Sequence, residues 1–133
     1  MEPQKTTAAK ADTAPRVLTL TVEADGLAWI VLDVPGEAQN TLSPRFSGEF
    51  EEILARLESD RAIKCAVFAS GKPDSFLAGA DLSMISGVRS ADEAARLGAG
   101  AQRAFGRLAA LPVPVVAAIR GACLGGGLEL AMA

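Results

Sequence analysis

Pro112-Val113-Pro114-Val115-Val116-Ala117-Ala118-Ile119-Arg120-Gly121-Ala122-Cys123-Leu124-Gly125-Gly126-Gly127-Leu128-Glu129-Leu130 runs from a proline-bounded apolar segment through a glycine-rich loop into a second apolar segment. The two prolines force an extended entry, so Val115 to Ile119 reads as a strand and the loop leads from it into a helix. The N–H groups at the start of that helix should point outward at the positive end of its dipole, which suits a developing oxyanion. No Gly-Lys-Ser/Thr follows, so the loop is not a P-loop, and Gly125 and Gly127 lack the third glycine of a dinucleotide fingerprint. Triphosphate and NAD binding in this segment are both disfavoured.

Upstream, the pattern repeats. Cys65 to Ala69 is a short apolar run bounded by Lys64 and Ser70-Gly71, which predicts a strand buried on both faces. A helix is expected over Ala91 to Ala110. Further back, Val17 to Glu23 alternates apolar residues with Thr, and Leu27 to Leu32 is a second β-favouring run. Asp25-Gly26 between them reads as a hairpin turn. Pro35-Gly36 ends the second strand and begins a polar loop through Asn40. Ser43 then caps a helix with Pro44 at its first position, and Phe46, Phe50, Ile53, Leu54 and Leu57 keep helical spacing to about Ser59. The order β, β, α, β, α, β, α predicts a layered α/β fold with strands returning through helices.

The 133 residues suit one domain, and 50% hydrophobic with 22% charged residues is ordinary globular usage. Thirteen Lys plus Arg against sixteen Asp plus Glu give a net charge of −3, without the positive field that nucleic acid requires. With no histidine in the chain, Ser-His-Asp and Cys-His nucleophile systems and histidine-ligated metal sites are excluded here. Cys65 and Cys123 lie far apart in apolar stretches, so reduced thiols and a cytoplasmic location are expected. No membrane span is expected, since no run of 18 apolar residues occurs. Residues 1–16 contain no Leu, Ile, Val or aromatic side chain and are expected to form a flexible tail before a domain over 17–133. Leu130-Ala131-Met132-Ala133 stops inside an apolar helix without a cap, so the chain reads as part of a longer protein; a buried final helix is the other reading.

Two loops carry candidate chemistry. Asp74-Ser75-Phe76-Leu77-Ala78-Gly79-Ala80-Asp81-Leu82 places small residues where a ligand could reach main-chain N–H groups. The same residues also describe a tight turn at Gly79 with Asp81 capping the next segment. In the second loop, Glu129 falls in the first helical turn, where a carboxylate stabilises the terminus. Equally, it is a candidate general acid or base, a role that a chain without histidine must give to a carboxylate.

Pro35-Gly36-Glu37-Ala38-Gln39-Asn40-Thr41-Leu42, Ala78-Gly79-Ala80-Asp81-Leu82-Ser83-Met84-Ile85 and Gly121-Ala122-Cys123-Leu124-Gly125-Gly126-Gly127-Leu128-Glu129-Leu130-Ala131 occur in that order. Together they resemble the enoyl-CoA hydratase/isomerase (crotonase) family over about Leu27 to Ala133. Within the family they look most like the amino-terminal hydratase part of the multifunctional fatty acid oxidation proteins. The resemblance implies a crotonase-like ββα spiral, truncated before its C-terminal half. It implies that the Ala80 and Gly126 N–H groups form an oxyanion hole, and that Ala78, Gly79, Ala80, Asp81, Gly125 and Gly126 line the bound acyl-CoA. Glu129 matches the first of two catalytic glutamates. The second would lie beyond Ala133, so residues 1–133 alone are expected to be inactive.

The activity so implied is hydration of a trans-2-enoyl-CoA to a 3-hydroxyacyl-CoA. Its alternatives are a Δ3,Δ2-enoyl-CoA isomerase, another acyl-CoA enzyme of this fold, or an inactive remnant. No metal or cofactor is implied for this chain, coenzyme A being part of the substrate. NAD would belong to a dehydrogenase region past residue 133, and a thiolase β subunit is the implied partner in an intact complex.

Overall fold

Ser43 and Pro44 start the helix around which the core is built. The computed structural model describes residues 14–133. In it α1 (Pro44–Ser59) begins as expected, with Ser43 Oγ accepting the Phe46 N–H at 3.2 Å and Pro44 in the first turn, where its missing N–H costs nothing. Before it, β1 (Leu18–Val22) and β2 (Leu27–Leu32) form the expected antiparallel hairpin. After it come β3 (Cys65–Ser70), β4 (Ser75–Leu77), α2 (Leu82–Ser86), α3 (Ala91–Ala109), β5 (Val115–Ala118), β6 (Ala122–Cys123) and α4 (Gly126–Met132). The hydropathy pattern predicts neither β4, α2 nor β6. Elements of two to five residues are too short to show a period, and tertiary pairing sets them instead.

Strands β1, β2, β3 and β5 make one sheet in that order, with β2, β3 and β5 mutually parallel. β4 and β6 pair in a separate two-stranded parallel sheet. Leu18, Ile30, Leu32, Ala66 and Phe68 share a core with Phe50 and Leu54 of α1 and Phe105 of α3. Phe50 meets Phe68 edge-on at 6.3 Å, and Phe68 meets Phe76 of β4 at 5.8 Å. This aromatic line ties the first helix, the main sheet and the small sheet together, and so fixes the two glycine-bearing loops relative to each other. The expectation that β3 is buried on both faces is corrected. Ala66 and Phe68 are buried, but Cys65, Val67 and Ala69 on the opposite face are only half-buried, because α1 and α3 join the core on the Ala66–Phe68 side.

Residues 1–13 of the expected tail lie outside the described residues. At its end, the Ala14 carbonyl accepts from Arg45, and Arg16 pairs with Glu52 at 2.8 Å. Among the described residues no helix is long and apolar enough to cross a membrane.

Glu49 on α1 holds the start of β1. Its largely buried carboxylate accepts the Val17 and Leu18 N–H groups at 2.9 and 2.8 Å and pairs with Arg45 at 3.1 Å. Burial alone would raise its pKa, but the Leu18 N–H, Arg45, the Val17 N–H and Arg16 outweigh that and hold it below the ordinary carboxylate value. A depressed folded-state pKa stabilises the fold above the unfolded value of about 4.3, and that contribution is lost as the pH falls through the folded value. Glu49→Gln is therefore expected to cost about 1–3 kcal/mol at neutral pH. The check is thermal unfolding across a pH series: the melting curves of variant and wild type should converge in acid, and a constant gap would contradict the assignment.

Candidate active site

The first loop is built by a parallel clamp. Leu42 pairs with Ala80 through the Leu42 N–H to the Gly79 carbonyl at 2.8 Å and the Asp81 N–H to the Leu42 carbonyl at 2.9 Å. In a parallel pair a residue bonds the two neighbours of its partner, so the partner's own N–H is turned the other way. Ala80 is that partner, and its N–H has no hydrogen-bond acceptor among the described residues. Gly79 sits at φ +104°, a conformation that a side chain would strain.

The second loop enters α4 at Gly125, with φ +49° and no side-chain cap. The Gly127, Leu128 and Glu129 N–H groups bond back to Leu124 and Gly125. Gly126, the first residue of the helix, keeps an N–H with no acceptor among the described residues, as expected for a helix start. The three glycines serve different ends. A Cβ on Gly127 would collide with the Leu77 carbonyl, so that glycine lets α4 lie directly on β4. One on Gly126 would press on Leu42 Cδ1 at 2.6 Å and lie 3.9 Å from Glu129 Oε2. One on Gly79 would sit 3.9 Å from Gly126 N, which shows how closely the two loops approach.

Ala80, Gly126 and Glu129 line one cavity of about 730 Å³. Most of its wall is apolar, from Phe46 and Phe50 of α1, Val88, and Leu97, Ala101 and Phe105 of α3. Two unpaired N–H donors and the Glu129 carboxylate thus share a mainly apolar space, which Ser47, Glu51 and Arg96 also line, and that combination suits an apolar substrate with one polarised carbonyl. Glu129 is exposed and has no hydrogen bond or ion pair through its carboxylate among the described residues. It stands in the first turn of α4, so helix-start stabilisation remains a second role of the same position.

Asp81 is placed differently. Its carboxylate accepts the Ser83 hydroxyl at 2.6 Å and the Ser83 N–H at 2.8 Å and caps α2. Those two bonds, the hydroxyl first, hold its pKa below the usual carboxylate value. With its own N–H bound to Leu42, Asp81 offers a ligand no free donor. The Ala78 N–H is likewise engaged, by the Asn40 carbonyl at 2.8 Å. The Ala78 and Asp81 N–H groups are thus engaged in holding the first loop, Gly79 and Gly125 turn the two loops at positive φ, and Ala80, Gly126 and Glu129 line the cavity. Asn40, expected at the end of a polar loop, is completely buried. Its sequence signal is its place in the Pro35-to-Leu42 motif, just before the Thr41-Leu42 that precedes the helix cap.

A model of the family described as enoyl-CoA hydratase/isomerase matches residues 23–133. The fatty acid oxidation complex subunit alpha of Idiomarina loihiensis is 54% identical over 118 residues, covering 89% of this chain and 17% of the relative. That of Shewanella baltica strain OS185 is 51% identical over the same length, with the same coverage. The chain therefore spans about one sixth of the curated relatives it matches. Among solved structures, an enoyl-CoA hydratase from Bacillus anthracis superposes with a TM-score of 0.80 at 26% identity, covering 88% of this chain and 45% of that one. An enoyl-CoA hydratase/isomerase from Xanthobacter autotrophicus Py2 gives 0.78 at 26% identity, covering 88% and 43%.

Proposed function

The chain belongs to the enoyl-CoA hydratase/isomerase family, and on that premise we propose that it forms the first part of a hydratase site of fatty acid β-oxidation. The reaction is addition of water to a trans-2-enoyl-CoA to give a 3-hydroxyacyl-CoA. The observation that carries this reading is the pair of unpartnered N–H groups, on Ala80 and Gly126, in the cavity that also receives Glu129.

As the water oxygen bonds to the β carbon, the double-bond electrons shift toward the thioester carbonyl, and its oxygen gains charge. Two donors held in place before that charge develops favour the transition state more than the ground state. The proton released from water and the one delivered to the α carbon need acid–base groups. Glu129 supplies one, and a second carboxylate from residues beyond 133 supplies the other. The apolar wall from Phe46 to Phe105 takes the acyl chain, while Ala78 to Asp81 run beside the coenzyme A moiety.

This step needs no metal and no cofactor of its own. We assign NAD to a 3-hydroxyacyl-CoA dehydrogenase region outside these residues, and a thiolase β subunit as the partner. The long relatives named as alpha subunits of a fatty acid oxidation complex support both assignments. The free thiols of Cys65 and Cys123 fit a cytoplasmic location. The test is to mix the full-length protein with crotonyl-CoA and follow loss of the conjugated enoyl absorbance. Steady loss supports the hydratase reading, and none would remove it.

A further inference from the structure

We infer that Asn40 is a positioning residue for both oxyanion-hole donors, an inference that rests on the hydratase reading above. Asn40 is fully buried, and every polar group it carries is used. Nδ2 donates to the Leu32 carbonyl at 3.0 Å, to Ser70 Oγ at 2.9 Å and to the Phe76 carbonyl at 3.2 Å. Oδ1 accepts the Val34 N–H at 2.9 Å, the backbone N–H reaches Ser75 Oγ at 3.2 Å, and the carbonyl accepts the Ala78 N–H at 2.8 Å. One amide thus pins the ends of β2 and β3 to β4, joining the main sheet to the small one where the site loops emerge.

From this anchor the chain runs two residues to Leu42, which touches both halves of the site. The backbone of Leu42 brackets Ala80 and so decides which way the Ala80 N–H turns. Its side chain lies against Gly126, 2.6 Å from where a Cβ would stand. The segment from Asn40 to Leu42 therefore acts as one ruler laid along both loops. Its zero point is Asn40, whose side-chain amide bonds the Leu32 carbonyl and Ser70 Oγ at the ends of β2 and β3. A rigid, fully satisfied buried network of this kind specifies geometry as well as stability, and a donor displaced by a fraction of an ångström stabilises the transition state less.

The experiment compares Asn40→Ala and Asn40→Asp with Leu54→Ala in the full-length protein. Leu54 is equally buried in α1 but lies outside the cavity wall, so it reports the cost of a core defect alone. Asn40→Asp keeps the shape while turning the Nδ2 donors into an acceptor opposite two carbonyls, and it serves if the alanine variant does not fold. Expected is a loss of kcat with crotonyl-CoA of about 10- to 100-fold with KM moving less than about threefold. Leu54→Ala, with a melting temperature lowered at least as far, should keep its kcat. Folded Asn40 variants whose kcat matches that of Leu54→Ala would overturn the positioning role and leave the hydratase reading standing. Absence of turnover in the wild type would overturn both.

Discussion

Glu129→Gln is expected to lower turnover of the full-length protein on crotonyl-CoA by about 100- to 10,000-fold, the range over which a positioned acid or base acts. The substitution keeps shape and hydrogen-bonding reach but removes the titratable group. If Glu129 did no more than complement the start of α4, its loss would cost about 0.3–1 kcal/mol of stability and leave kcat alone. The two roles therefore separate cleanly in a paired measurement of steady-state rate and melting temperature. A variant with a slightly lowered melting temperature and near-wild-type kcat would assign Glu129 to the helix. The structure favours the large effect, because the carboxylate has no partner among the described residues and lines the cavity shared with Ala80 and Gly126.

Gly126→Pro should reduce kcat by about 100- to 1000-fold, the usual consequence of losing one oxyanion donor. The fold should tolerate it better than most proline substitutions. Gly126 is the first residue of α4, where proline's fixed φ suits the helix and no intrahelical bond is lost. The crowding it introduces falls on Leu42 Cδ1, the free end of a side chain that can rotate away. Circular dichroism melting together with the crotonyl-CoA assay checks both halves of the expectation. A folded variant with an unchanged rate would show that the Gly126 N–H does not hold the thioester oxygen.

The readable parts of this chain are those whose signals are local. Ser43-Pro44 with apolar residues at helical spacing marks α1 to the residue, and the alternation of Val17 to Glu23 marks β1. Gly126 and Glu129 announce themselves as a glycine-rich helix start with an acidic first turn. What stays hidden is set by long-range pairing. β4 and β6 are too short to carry a period and exist because Ser75 and Leu77 find Ala122 and Cys123. Asn40 looks like any loop asparagine until the ends of β2 and β3 and the middle of β4 converge on its amide. Asp81 is legible as the cap of the next segment, and it caps α2 by accepting the Ser83 N–H while its own N–H bonds Leu42. Strand β3 reads as doubly buried from composition, whereas the placement of both long helices on one side is a property of the whole fold.

The most direct test of a water-adding site is the fate of the water oxygen. The full-length protein should be incubated with crotonyl-CoA in heavy-oxygen water and the product examined by mass spectrometry. The expected product is a 3-hydroxyacyl-CoA carrying the heavy oxygen in its hydroxyl group, formed by the wild type and greatly diminished with Glu129→Gln and Gly126→Pro. A product in which only the double bond has moved, with no heavy oxygen incorporated, would contradict it.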